Sequence, residues 1–202
     1  MPETLEASEP GASAEEPRRT IPELDAAIMA DPKDVKAYFE RGLLKAEAQL
    51  TGEAIDDLSK AIELKPDLIE AYSARGLELL YRGELADSLR DFSTVHKAAQ
   101  AMGMSDVATL FNLGLVYSQM PGKYKETFHY FEKAIKNNRG LLVNYYKSGG
   151  DDPTVARLMT LLENTLAKLS DDLAANPKNF YIKQLYDFLN EIQTQAKAAA
   201  GK

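Results

Sequence analysis

Large apolar residues recur along this chain three and four positions apart, the spacing that lines one face of an α-helix. Long alternating runs of Val, Ile and Thr, the mark of half-buried strands, are missing. The stripes predict a series of helices separated by short breaks. The first opens at Thr20, where Thr20-x-x-Glu23 fits a capping box, and runs to about Ala30, before Pro32. A helix holding Tyr38, Leu43, Leu44 and Ala46 follows, and Thr51-Gly52 is read as its break. The next carries Ala54, Ile55, Leu58, Ala61 and Ile62 and ends at Lys65-Pro66-Asp67. A second pair turns at Arg82-Gly83 and places Leu85, Leu89, Phe92 and Val95 on its second helix. A third pair turns at Met120-Pro121-Gly122-Lys123 and carries Phe128, Phe131, Ala134 and Ile135.

Two of these pairs say nearly the same thing. Ala37-Tyr38-x-x-Arg41-Gly42-Leu43 returns as Ala71-Tyr72-x-x-Arg75-Gly76-Leu77, and Leu113-Gly114-x-x-Tyr117 is a looser third copy. A hairpin of two helices leaves one apolar face bare, so neighbours must stack to cover it. Gly42 and Ala61 are the small residues that let helices approach, and Tyr38 and Leu58 fill the space beside them.

These residues resemble the tetratricopeptide repeat, whose 34-residue pattern runs from a large aromatic through Leu-Gly, an aromatic, Ala, an aromatic and Ala to a closing Pro. The first copy matches at Tyr38, Gly42, Ala54, Leu58, Ala61 and Pro66. The second matches at Tyr72, Gly76 and Phe92, and loosely at Ser88 and Val95. The third matches at Leu113, Gly114, Tyr117, Phe131 and Ala134, with one extra residue in its turn. Arg41 and Arg75 stand where the pattern has Leu. Leu24, Ala27 and Pro32 resemble the end of a preceding second helix. The resemblance implies an all-α solenoid with a helical cap at 20–31 and repeats at about 35–68, 69–102 and 107–140.

Outside the array, residues 1–19 are rich in Glu, Pro, Ala, Ser and Gly and are read as a disordered acidic tail. Residues 141–202 leave the period. Leu141, Leu142, Tyr145 and Tyr146 extend the last helical layer, and Ser148-Gly149-Gly150 breaks it. Asp152-Pro153 reads as an N-cap followed by Pro at the first helical position. Two leucine-rich stripes, Val155 to Leu173 and Ile182 to Ala196, joined at Asn176-Pro177, predict an antiparallel C-terminal hairpin.

Charge narrows the partner class. The formal net charge is −7, which argues against nucleic acid and against an anionic membrane surface. It is uneven: residues 141–202 hold seven acids and seven bases, whereas the repeat region is acidic. No run of 18 apolar residues predicts a spanning helix, and no secretory signal is visible, so cytoplasm is the default expectation. A trimmed chain would look the same.

In the family that the repeats resemble, the first helix of each repeat lines a concave groove that takes peptides or partner segments. Carried over by register, the groove positions are Phe39, Leu43 and Ala46; Ser73, Leu77, Leu80 and Tyr81; and Phe111, Leu115, Ser118 and Gln119. This mostly apolar set suits an amphipathic helix or an extended hydrophobic segment of a protein. The C-terminal hairpin or 141–146 folding back into the groove is the competing reading. Some family members bind acidic C-termini through Lys, Asn and Arg. The matching places here hold Phe39, Leu43, Ala74 and Ala108, with Asn112 alone polar, so no such clamp is expected.

Little else suggests chemistry. Cys is absent, which removes disulfides, thiolate nucleophiles and Cys-based zinc sites. His96 and His129 lack metal-binding spacing and are read as surface or interface residues. Asp151-Asp152 is read as capping, and Asp56-Asp57 and Asp171-Asp172 as solvated faces. Met102, Met104, Met120 and Met159 are read as gap-filling core. Phosphate-binding glycine loops and a nucleophile elbow are missing. Arg41 and Arg75, one repeat apart, are expected to pair with Asp57 and Asp91, with a ladder that clamps a partner's carboxylates as the alternative. The sequence thus predicts a non-enzymatic scaffold or adaptor without cofactor or metal. The alternatives are a chaperone for a secreted or membrane-inserting client and a homo-oligomer formed through the C-terminal hairpin.

Overall fold

The computed structural model describes residues 19–104, 106–138, 140–148 and 153–201, and these form ten helices. Their order is α1 (Ile21–Ala30), α2 (Val35–Glu47), α3 (Thr51–Leu64), α4 (Ile69–Arg82), α5 (Leu85–Ala101), α6 (Val107–Gln119), α7 (Tyr124–Asn137), α8 (Leu141–Ser148), α9 (Pro153–Ala175) and α10 (Phe180–Ala200). Helices α2/α3, α4/α5 and α6/α7 pack as three hairpins, and α3 against α4 and α5 against α6 join one hairpin to the next. Helix α1 packs on α2 and covers the first face of the stack.

Short-range chemistry explains where these helices start and stop. The Asp34 side chain accepts from the Ala37 N–H at 2.9 Å, and Asn179 accepts from the N–H groups of Tyr181 and Ile182. At Thr20 the Glu23 carboxylate accepts the backbone N–H at 2.7 Å, and the Thr20 hydroxyl donates to the same carboxylate. Those bonds hold Glu23 below the usual carboxylate range. Gly83 closes α4 at φ +78°, a conformation open to glycine without strain. Thr51-Gly52 is not the break expected there. Both residues lie in the first turn of α3, and the chain reverses at Gln49 with φ +58°.

Inside each hairpin a glycine faces a large side chain. A Cβ on Gly42 would sit 2.8 Å from Leu58, one on Gly76 3.3 Å from Phe92, and one on Gly114 2.7 Å from Phe131. Leu58, Phe92 and Phe131 are fully buried, so the small residue is what admits the helix crossing. The first two repeats add an ion pair at the same place. Arg41 Nε donates to Asp57 at 2.8 Å and Nη1 to Asp25 at 2.6 Å; Arg75 donates twice to Asp91, both at 2.8 Å. Asp57 is therefore buried against Arg41 and Lys45, not part of a solvated face. The third repeat has Leu113 where the others have Arg, and here Tyr117 stacks on Tyr130 at 5.3 Å.

Helices α9 and α10 pack as a hairpin, and that hairpin also returns to the array, α9 onto α6 and α10 onto α7 and α8. One buried cluster runs through Leu80, Phe111, Leu115, Leu142, Leu162 and Leu185. Met159 lies in this core and Met120 packs against it, as gap-filling methionines should. Met102 and Met104 do not: they are 66% and 63% exposed at the α5–α6 connection. The Asp152 cap and residues 1–18 lie outside the described residues.

Candidate functional site

The eleven groove positions fall into two groups. On α2 and the part of α4 up to Leu77, the residues Phe39, Leu43, Ala46, Ser73 and Leu77 are partly exposed. On α6, Phe111 and Leu115 are completely buried, and Leu80 on α4 is nearly so. The cause is the C-terminal part of the chain. Tyr145 of α8 meets the Phe111 ring edge-on at 5.6 Å, and Leu158, Met159, Leu162 and Leu166 of α9 share one core with Phe111 and Leu115. Ser118 and Gln119, the polar pair at the end of α6, lie 2.9 and 3.3 Å from the Thr165 hydroxyl, and Lys168 donates to the Ser118 carbonyl at 3.2 Å. The third-repeat positions are thus held by the chain itself and are not free for a partner in this conformation.

Helix α9 runs along the inner-turn ends of the hairpins. Arg157 sits at the end of α4, Thr165 at the end of α6, and Asp172 accepts from the Tyr124 hydroxyl at the start of α7, at 3.0 Å. From 157 to 172 an α-helix rises roughly 22 Å, enough to bridge two hairpins. Its N-terminal end is fastened by Arg157. The guanidinium lies 3.5 Å over the Tyr81 ring, donates to Glu78 at 3.0 Å and reaches Thr51 at 3.4 Å. Tyr81 is thereby engaged within the chain.

Neither Arg157 nor Glu78 stands out as functional in the sequence, yet one signal points to Glu78. It is a single carboxylate in the apolar run Leu77-Glu78-Leu79-Leu80, and it is buried with one oxygen, Oε2, unpartnered among the described residues. A buried carboxylate needs a cation, and the cation comes from a helix 79 residues away. Asn112, the one polar residue at the clamp positions, is also buried, and its carbonyl oxygen has no hydrogen-bond partner among the described residues. The remaining clamp positions carry no cation.

The titratable candidates resolve into structural contacts. His96 places Nδ1 2.8 Å from Asp106 and Nε2 2.9 Å from the Gln100 amide, joining α5 to the start of α6. His129 meets Tyr130 edge-on at 5.1 Å. Among the described residues no three His, Asp or Glu side chains gather as metal ligands, and no helix is long and apolar enough to cross a membrane. Both arginines of the ladder spend their hydrogen bonds inside the array, and their partners hold Arg41 and Arg75 above the ordinary guanidinium range.

Comparison with known proteins agrees with this geometry. The tetratricopeptide-repeat family model matches residues 35–68, the first hairpin. A 78-residue stretch is 35% identical to DnaJ homolog subfamily C member 3 of Rattus norvegicus, covering 39% of this chain. The chain spans only 16% of that relative's length. The fold is similar to that of MamA, with a TM-score of 0.60 at 17% identity, covering 88% of this chain and 89% of that one. It is also similar to YrrB, described as a tetratricopeptide-repeat protein with an unusual peptide-binding site, with a TM-score of 0.52 at 16% identity over 91% and 95% of the two chains.

Proposed function

This chain is a tetratricopeptide-repeat protein, and we propose that it is a non-enzymatic scaffold that binds one protein segment in the open half of its groove. A tetratricopeptide solenoid is an interaction fold, with stacked hairpins that expose a continuous concave face. The observation that carries the finer reading is the split in the groove. Phe39, Leu43 and Leu77 stay partly exposed while Phe111 and Leu115 are sealed beneath α8 and α9. The open half is apolar and short, and α9 stands at its end as a wall. It fits about two turns of an amphipathic helix, or an extended apolar stretch, laid across α2 and α4.

Affinity capture with the full chain beside Leu43→Asp tests this, with circular dichroism on both. A partner retained by the wild type and lost by the folded variant supports the open half as the site. Identical partner sets from two folded proteins overturn it. A change at Leu80 is unsuitable for the purpose, because Leu80 is core.

A further inference from the structure

The repeat spacing changes most between the second and third hairpins, and that is where an unexplained surface lies. Gly42 and Gly76 are one 34-residue period apart, but the next register glycine is Gly114, and the added length falls between α5 and α6. It extends α5 to 17 residues against 14 in α3 and lengthens the connection that follows by one residue, to 102–106, which holds Met102-Gly103-Met104. Two exposed methionines rarely face water without reason. Here they wall a cleft of about 480 Å³ whose apolar lining includes Leu68, Val95 and Ala99, within the range of roughly 300–1,000 Å³ found for binding pockets. Asp67 and Glu70 line its edge beside Lys65, and the acids there, with Asp106, outnumber that one cation.

At the opposite edge of the array, the tip of the α9–α10 turn offers the complement. Phe180 is 68% exposed, and its ring meets the half-exposed Tyr181 edge-on at 5.6 Å. Lys178 flanks the pair, and Lys125 lies 4.3 Å over the Tyr181 ring. The tip contacts the inner-turn end of the third hairpin, whereas the cleft opens between outer turns, so one molecule cannot seat its own tip in its own cleft. We propose that the Phe180–Tyr181 tip of one copy docks in the methionine cleft of a second copy, with Lys178 meeting Asp67 and Glu70. The neutral C-terminal region and the acidic repeat region give the same polarity along the whole chain. The contact is head-to-tail, so it propagates instead of closing after two chains. It lies on a different face from the groove and does not depend on the groove's occupant.

Sedimentation velocity over a concentration series tests it. The wild type is expected to rise above the monomer mass of 22.3 kDa, with the rise suppressed by salt. Phe180→Asp and Met104→Asp change exposed side chains and are expected to stay folded and monomeric. Mixed in equal amounts they retain one intact tip and one intact cleft, so they are expected to form dimers and nothing larger. A wild type that remains monomeric at every concentration overturns the proposal. So does association that survives both substitutions, or a variant mixture that stays monomeric.

Discussion

The first two repeats and the third solve the same packing problem with different chemistry. In the first two, the face beside the register glycine carries an arginine bonded to a buried aspartate, Arg41 with Asp57 and Arg75 with Asp91. In the third, leucine and a stacked tyrosine pair take that place, and every large groove residue is covered from within. A charged pair satisfies itself locally and leaves the neighbouring groove free. An aromatic, apolar repeat needs a lid, and α8 and α9 supply it. The array therefore has an open end and a closed end.

The sharpest way to break this comparison is to empty the closed end. Phe131 is fully buried and lies 5.1 Å from the Phe111 ring, so it ties the hairpin to the core shared with α9. Phe131→Ala is expected to lose about 3–5 kcal/mol of stability, and Leu58→Ala, its counterpart in the smaller core of the first repeat, about 2–4 kcal/mol. Thermal or urea denaturation of both variants measures the ordering. A larger loss at Leu58 would mean that the open end holds the array together.

Next in size is the fastening of α9. Arg157→Ala leaves the Glu78 carboxylate buried without its cation. Breaking a fully buried pair costs about 3–5 kcal/mol, and Arg157 is partly exposed, so about 2–3 kcal/mol is expected. Hydrogen exchange should locate that loss in the first turns of α9, in α4 and at the Thr51 end of α3, with α2 and the rest of α3 unchanged. Uniform loss of protection would show that Arg157 is a general core contact and not a fastener.

How much of this was readable in advance follows from range in sequence. The repeats were legible because Gly42 with Leu58, Gly76 with Phe92 and Arg41 with Asp57 are contacts inside one hairpin, repeated in register. The stripe on α9 was equally legible as a stripe, but a stripe does not say which surface it covers. The pairing of Arg157 with Glu78 spans 79 residues and has no local signature. Nothing local to α6 tells that Phe111 and Leu115 lie beneath α8 and α9, because the covering helices come some 30 to 50 residues later. Met102 and Met104 were misread because a methionine in an inserted turn has no periodicity to set its burial.

The glycines give a finer contrast. Replacing a helical glycine by alanine gains roughly 0.5–1 kcal/mol from backbone entropy alone. At Gly76 the nearest atom to a new Cβ is 3.2 Å away, so gain and crowding should nearly cancel. At Gly114 three ring atoms of Phe131 lie within 2.7–2.9 Å, and that ring is fully enclosed. Overpacking of this kind costs about 1–3 kcal/mol, so Gly114→Ala should melt below the wild type while Gly76→Ala melts beside it. Equal melting temperatures would show that the closed end yields as easily as the open one.

The smallest difference concerns alkali. Burial raises the hydroxyls of Tyr124, Tyr130 and Tyr145, all in the third repeat or beyond it, and pushes Tyr146 up to about 12. An unfolded tyrosine ionises near pH 10. A folded pKa above the unfolded one means that the neutral form is favoured in the native state. That stabilisation is complete below about pH 10 and is lost as pH rises towards 12. The closed end is therefore expected to unfold first in alkali, and Tyr146→Phe should flatten the decline. At neutral pH the same substitution removes a buried hydroxyl that lies near the Gln193 side chain without a well-formed hydrogen bond among the described residues, so it should change stability by no more than about 1 kcal/mol. Melting curves of wild type and variant from pH 7 to 12 test this. Parallel declines would mean that the Tyr146 hydroxyl reaches water in the folded chain, and with it that the lid over the third repeat is looser than its packing implies.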